Sequence, residues 1–139
     1  MHEELDALLC TTYPELFAHR HVQDDSLMSF GCCCCGDGWF PLIYALCRSL
    51  QHRIEHYGEP QIQVVEVKAT FGQLRFRVSC EAGEMSDAQC AVIEMAEILS
   101  AGTCEVCGCP GLCVSNEYSA VVRCPAHEQE GSSADEECV

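Results

Sequence analysis

Cys104-Glu105-Val106-Cys107 and Cys124-Pro125-Ala126-His127 constrain this chain more than any other feature. Two thiols two residues apart, then a thiol and an imidazole two residues apart, can close a tetrahedron around one ion. Zinc imposes no geometry from its d-electrons and accepts such a mixed sulfur and nitrogen set. The spacing predicts one structural zinc held by Cys104, Cys107, Cys124 and His127, with no position left for a substrate. Residues 108–123 carry little core material, so their order should depend on the ion. Cys109 and Cys113 lie close enough that either could replace a ligand. Cys107 is preferred because the two-residue spacing puts both sulfurs on one side of the turn.

The chain has 14 cysteines in 139 residues. Its first residues, Met1-His2-Glu3-Glu4-Leu5-Asp6, are acidic, unlike the basic and then apolar start of a secretory leader. No apolar run reaches the roughly 18 residues of a membrane span. A reducing cytosol is therefore expected, with thiols and metal ligands rather than bridges. Cys10, Cys47 and Cys90 fall in apolar patterns and read as small core residues. Cys32, Cys33, Cys34 and Cys35 are consecutive, so their side chains diverge and one ion could use two of them. A loop packing small apolar groups is the simpler reading; a second metal or redox role is the alternative.

The remaining pattern predicts an α+β domain. Leu5, Leu8 and Leu9 mark a first short helix. Thr12-Tyr13-Pro14-Glu15 reads as the capping box of a second short piece that buries Leu16 and Phe17 and ends at His19-Arg20-His21. A loop over 23–38 leads to a helix from Asp37 or Gly38 to about Tyr57, with Leu42, Leu46, Leu50 and Ile54 at helical spacing. Gly58 and Pro60 stop it. Residues 62–69 and 74–80 form a hairpin whose second strand turns Leu74, Phe76 and Val78 inward and Arg75 and Arg77 outward. A helix then starts at Ser86 with Gln89 closing a capping box; Ala88, Ala91, Val92, Met95, Ile98 and Leu99 are its apolar face. Residues 118–123 can be a short strand delivering Cys124. The expected organisation is a helical and hairpin core over 1–102, a zinc knuckle packed on it over 103–127, and an acidic tail over 128–139.

The formal charge is −15, from 7 basic and 22 acidic residues. Such a chain repels nucleic acid as a whole; its charge either suits protein partners with basic surfaces or serves only to keep the chain soluble. Lys68, Arg75 and Arg77 all lie on the hairpin. With Trp39 they are the candidate contact surface, and pairing with Glu66 is the plainer reading. A nucleic-acid-binding protein using Lys68, Arg75, Arg77 and Arg123 is an alternative function. His52-Arg53-Ile54-Glu55-His56 spells an inverted zinc-peptidase motif, and a metal-dependent hydrolase is a further alternative. That motif needs a third ligand and a larger domain, so two histidines on a solvated helix face is preferred. Gly36-Asp37-Gly38 is no phosphate loop, because no Gly-Lys-Ser/Thr follows and Asp37 opposes phosphate. Nothing singles out a nucleophile with its base, so no catalytic residue and no enzymatic activity is read.

Taken together, Tyr13-Pro14-Glu15-Leu16-Phe17, Gly36-Asp37-Gly38-Trp39-Phe40, the hairpin from Val67 to Phe76, and Thr103 to Gly108 with Cys124 to His127 resemble a group of small bacteriophage and prophage proteins. The likeness covers roughly residues 12–127. It implies a phage accessory protein acting in the host bacterial cytosol, where it binds and inhibits or diverts a host protein or complex, such as a CRISPR-type defence complex. This chain departs from the group at Cys33 to Cys35, Cys109 and Cys113.

Overall fold

The computed structural model describes residues 1–21 and 33–129. Cys32, most of the loop expected over 23–38 and most of the acidic tail lie outside those residues. Helix α1 spans Glu3–Thr12. A short 3-10 turn at Ala18–His21 follows. A second 3-10 turn at Asp37–Trp39 leads into α2, Phe40–Tyr57. Strands β1, Ile62–Thr70, and β2, Gln73–Cys80, form an antiparallel hairpin. Helix α3 spans Asp87–Ser100. Strands β3, Leu112–Ser115, and β4, Ala120–Arg123, form a second two-stranded sheet. The domain is α+β, as the pattern predicts, but β3 is an addition. The β3–β4 turn is closed by Asn116, whose Oδ1 accepts from the Tyr118 and Ser119 amides, an Asx turn in place of a glycine signal.

The expected capping box at Thr12 is absent. Thr12 is the last residue of α1, and its hydroxyl donates back to the Leu8 carbonyl at 2.7 Å. One helix therefore replaces the first of two short pieces, and it buries Asp6, Leu9 and Cys10 while Leu8 stays exposed. Leu16 and Phe17 are fully buried as expected. Helix α2 buries Ile43, Leu46, Cys47 and Leu50 on one stripe and is ended by Gly58 in a left-handed conformation.

The hairpin is a sheet whose outer edges are both covered. On β1, the Val64 amide donates to Leu16 O at 2.7 Å, and the Cys34 backbone bonds Val67 O and the Ala69 amide. A bulge between Val64 and Glu66 re-phases the strand, so Val64 and Val67 both point into the core. Cys33, Cys34 and Cys35 are thus laid along β1. Cys33 and Cys35 alternate into the core, 1% and 3% exposed. Cys34 is disulfide-bonded, a departure from the expected thiols and metal ligands.

On β2, the amides of Leu74 and Phe76 point away from β1. They would be stranded donors without a neighbour. Helix α3 supplies the acceptors: Ser100 Oγ takes the Leu74 amide at 2.8 Å, and Glu97 Oε1 takes the Phe76 amide at 3.0 Å. Gln89, fully buried, donates to Pro60 O at 2.8 Å and closes the capping box with Ser86. The face that α3 turns inward is therefore Gln89, Ile93, Ala96 and Ser100. Of the expected apolar face, Val92 packs against the core, but the rest of its large side chains do not. Met95, Ile98 and Leu99 point to solvent, 64%, 61% and 53% exposed. Cys90, expected in the core, is exposed on the same helix, whereas Cys10 and Cys47 are buried.

Candidate metal centre

Each half of the centre is built by a tight turn. After Cys104, the chain reverses so that the Gly108 amide donates to Cys104 O at 2.8 Å. Gly108 sits at φ 80°, where a side chain would be strained. The second half closes when the His127 amide donates to Cys124 O at 2.9 Å. The two halves are joined by the Glu105 amide to Val122 O at 3.1 Å. Strand β4 thereby delivers Cys124 beside Cys104.

The ligand atoms of Cys104, Cys107, Cys124 and His127 all lie within 4.8 Å of one another. Cys107 Sγ is 3.6 Å from Cys124 Sγ. His127 Nδ1 is 3.2 Å from Cys124 Sγ and 3.8 Å from Cys104 Sγ. A tetrahedron with Zn–S of about 2.3 Å and Zn–N of about 2.0–2.1 Å has edges of roughly 3.5–3.8 Å. The donor set fits a metal ion of that kind. Cys109 and Cys113 stand outside the group. Cys113 instead faces the tip of the first hairpin, where a Cβ built on Gly72 would lie 2.9 Å from its sulfur.

The electrostatics suit a cation. Burial alone raises the Cys104 thiol, but the backbone amides of Cys107, Cys124 and Val106 and the Cys107 thiol offset that and bring it down to about 6. Cys124 is raised, first by burial and then by the Cys107 thiol. Cys107 is lowered by the Cys109 amide, but burial and the Cys109 and Cys104 thiols outweigh that and leave it raised. One thiol is thus lowered and two are raised, by burial first and by the neighbouring thiols second, and a divalent cation bound among them would favour the thiolate form of all three.

The centre is clamped to the rest of the molecule by Gly36-Asp37-Gly38-Trp39. The Gly38 amide donates to Glu105 O at 2.8 Å. Trp39 Nε1 donates to Thr103 O at 2.9 Å. A Cβ on Gly38 would lie 2.2 Å from Cys104 O, and one on Gly36 would lie 2.2 Å from Glu105 O. These glycines are small because backbone meets backbone there. Trp39, expected on a contact surface, is a correction: it is 0% exposed and fills the junction between α2 and the knuckle.

The other candidate residues do not converge on a site. Glu66 pairs with Lys68 at 3.0 Å and with Arg77 at 3.7 Å. Arg75 is exposed opposite Lys68 on the neighbouring strand. Arg123 is buried and donates to Val122 O. The His52 and His56 rings lie 4.4 Å apart on α2, but among the described residues no group of three or more donors contains them. Burial pushes the Cys35 thiol up to about 12 and raises Cys47 as well, so neither is prepared as a nucleophile. Among the described residues no helix is long and apolar enough to cross a membrane. Comparison of the chain with family models, curated proteins and solved structures finds no match.

Proposed function

We propose that this chain is a non-enzymatic interaction protein in which Cys104, Cys107, Cys124 and His127 hold one structural zinc ion. The observation that carries the reading is the closed donor set: three sulfurs and one nitrogen within 4.8 Å of one another. Four protein ligands complete a tetrahedral sphere, and a catalytic zinc keeps one position open. The ion's role is then to fix the fold of residues 103–127 and the surface they carry. The resemblance in the sequence extends the reading: a phage or prophage factor in the bacterial cytosol that binds and inhibits or diverts a host protein or complex, a CRISPR-type defence complex being one candidate. The charge of −15 supports a protein partner over nucleic acid, and so does the engagement of Lys68 and Arg77 by Glu66.

The test is a capture experiment with the zinc-loaded chain in bacterial lysate at low salt. The expected result is a stoichiometric host protein or complex that is retained without turnover of substrate. Capture of none would contradict the reading. Metal content should stay at one zinc per chain in His52→Ala; loss of metal or the appearance of hydrolase activity dependent on His52 would favour the hydrolase instead.

A further inference from the structure

Helix α3 presents an apolar stripe to solvent. Ala91, Met95 and Ile98 follow one another at helical spacing, with Leu99 beside them. Met95, Ile98 and Leu99 are each more than half exposed. Scattered exposed apolar residues are ordinary, but a row on one helix is not. The row is not a consequence of a weak core. The opposite face is committed by Ser100, Glu97 and Gln89 to the Leu74 and Phe76 amides and the Pro60 carbonyl.

The charge around the stripe says what can cover it. Helix α3 carries Asp87, Glu94 and Glu97 and no Lys or Arg. Asp87 and Glu94 are exposed along one margin of the row, by the 100° step of the helix. A second copy would bring the same margin and another −15 charges against it, so self-association is opposed. Residues 22–32 and 130–139 of this chain contain acids and no Lys or Arg, so the sign is wrong there too. A cationic amphipathic helix has both complements: apolar side chains for the row and Lys or Arg for Asp87 and Glu94.

We infer that the outer face of α3 is the docking site for a basic amphipathic helix of a partner protein. The inference rests on the interaction-protein reading and names the class of partner. Residues 91–99 span about 12 Å, the reach of two to three turns of such a helix. Apolar burial supplies the affinity, and the acidic margin fixes the partner's sign and orientation.

The test uses the full zinc-loaded chain and a labelled synthetic peptide with leucine on one helical face and lysine on the other. Two controls are a peptide with glutamate in place of lysine and a scrambled lysine peptide without the apolar face. Saturable one-to-one binding of the leucine–lysine peptide alone is expected. Met95→Ser with Ile98→Ser, both at exposed positions, should weaken it by about tenfold or more with unchanged circular dichroism and Trp39 emission. Glu94→Lys should weaken it too. Equal binding by the double variant, or by either control peptide, would overturn the inference, as would a dimer of the chain that the double variant dissolves. Capture from lysate separates this result from the broader reading. If the double variant captures the same host protein as the parent chain, the inference fails and the reading stands; if the parent chain captures none, the reading fails.

Discussion

Removing the metal is expected to shift the emission of Trp39 to longer wavelength and to melt residues 103–127, while the first hairpin and α2 keep their protection. Trp39 is the single tryptophan of the chain. It is fully buried, and its indole donates to Thr103 O at the entry to the knuckle, so its environment reports docking directly. The knuckle has little else to hold it. Of its side chains, only Val122 joins the main core cluster. Strand β3 is exposed along its whole length. In small zinc domains the ion contributes roughly 10–16 kcal/mol to folding, far more than one buried valine at about 1.5–3 kcal/mol. The hairpin edges are served instead by Leu16, Cys34, Glu97 and Ser100, none of which belongs to the four-donor group. Hydrogen exchange before and after chelation checks the second half of the statement. The amides of Glu105 and Gly108 should lose protection, and those of Val64, Leu74 and Phe76 should keep most of theirs. An unchanged emission maximum with the metal gone would show that the knuckle docks without it.

The second large effect belongs to Gly38. In Gly38→Ala the new Cβ would lie 2.2 Å from Cys104 O and 2.6 Å from the Gly108 amide nitrogen. Both are backbone atoms of the Cys-x2-Cys turn, so relief requires the turn itself to move. Overpacking of this kind costs about 1–3 kcal/mol, and the upper part of that range is expected. For a chain of this size the thermal midpoint should fall by roughly 6–12 °C. Zinc affinity should fall with it, because displacing the turn displaces Cys104 and Cys107. Gly102→Ala is the matched control. There the nearest atom to a new Cβ is Leu99 O at 3.9 Å, and little change is expected. Thermal melts with a competitive zinc indicator measure both quantities.

What could be read from the sequence was whatever depended on local chemistry. Ser86 and Gln89 announce a helix start because the box is made by residues three apart, and both bonds are present. The alternation in Leu74-Arg75-Phe76-Arg77 gives the inward face of β2 because a strand repeats every two residues. The four metal donors follow from spacing within two short turns. The failures are equally physical. Periodicity in α3 marks Met95, Ile98 and Leu99 as the buried side, since it counts only apolar residues. The helix was turned by a demand that no periodicity records: two stranded amides on β2 and one carbonyl before β1 needed Glu97, Ser100 and Gln89. Trp39 is expected on a contact surface although it falls in the first turn of a helix behind Gly36 and Gly38. Those glycines serve instead to admit the backbone of Cys104 and Glu105, and the indole seals the contact. Thr12 matched a cap by composition, but with Leu9 and Cys10 buried the helix ran on through it. Strand β3 carried no regular alternation of burial to find, since all four of its residues are exposed.

The central claim is that one closed coordination sphere organises the last third of the chain. X-ray absorption at the zinc edge of the natively purified protein tests it most directly. The account expects three sulfur scatterers at about 2.3 Å and one nitrogen at about 2.0–2.1 Å, unchanged in Cys109→Ser and Cys113→Ser. A fourth sulfur, a bound water oxygen, or no zinc at all would contradict it.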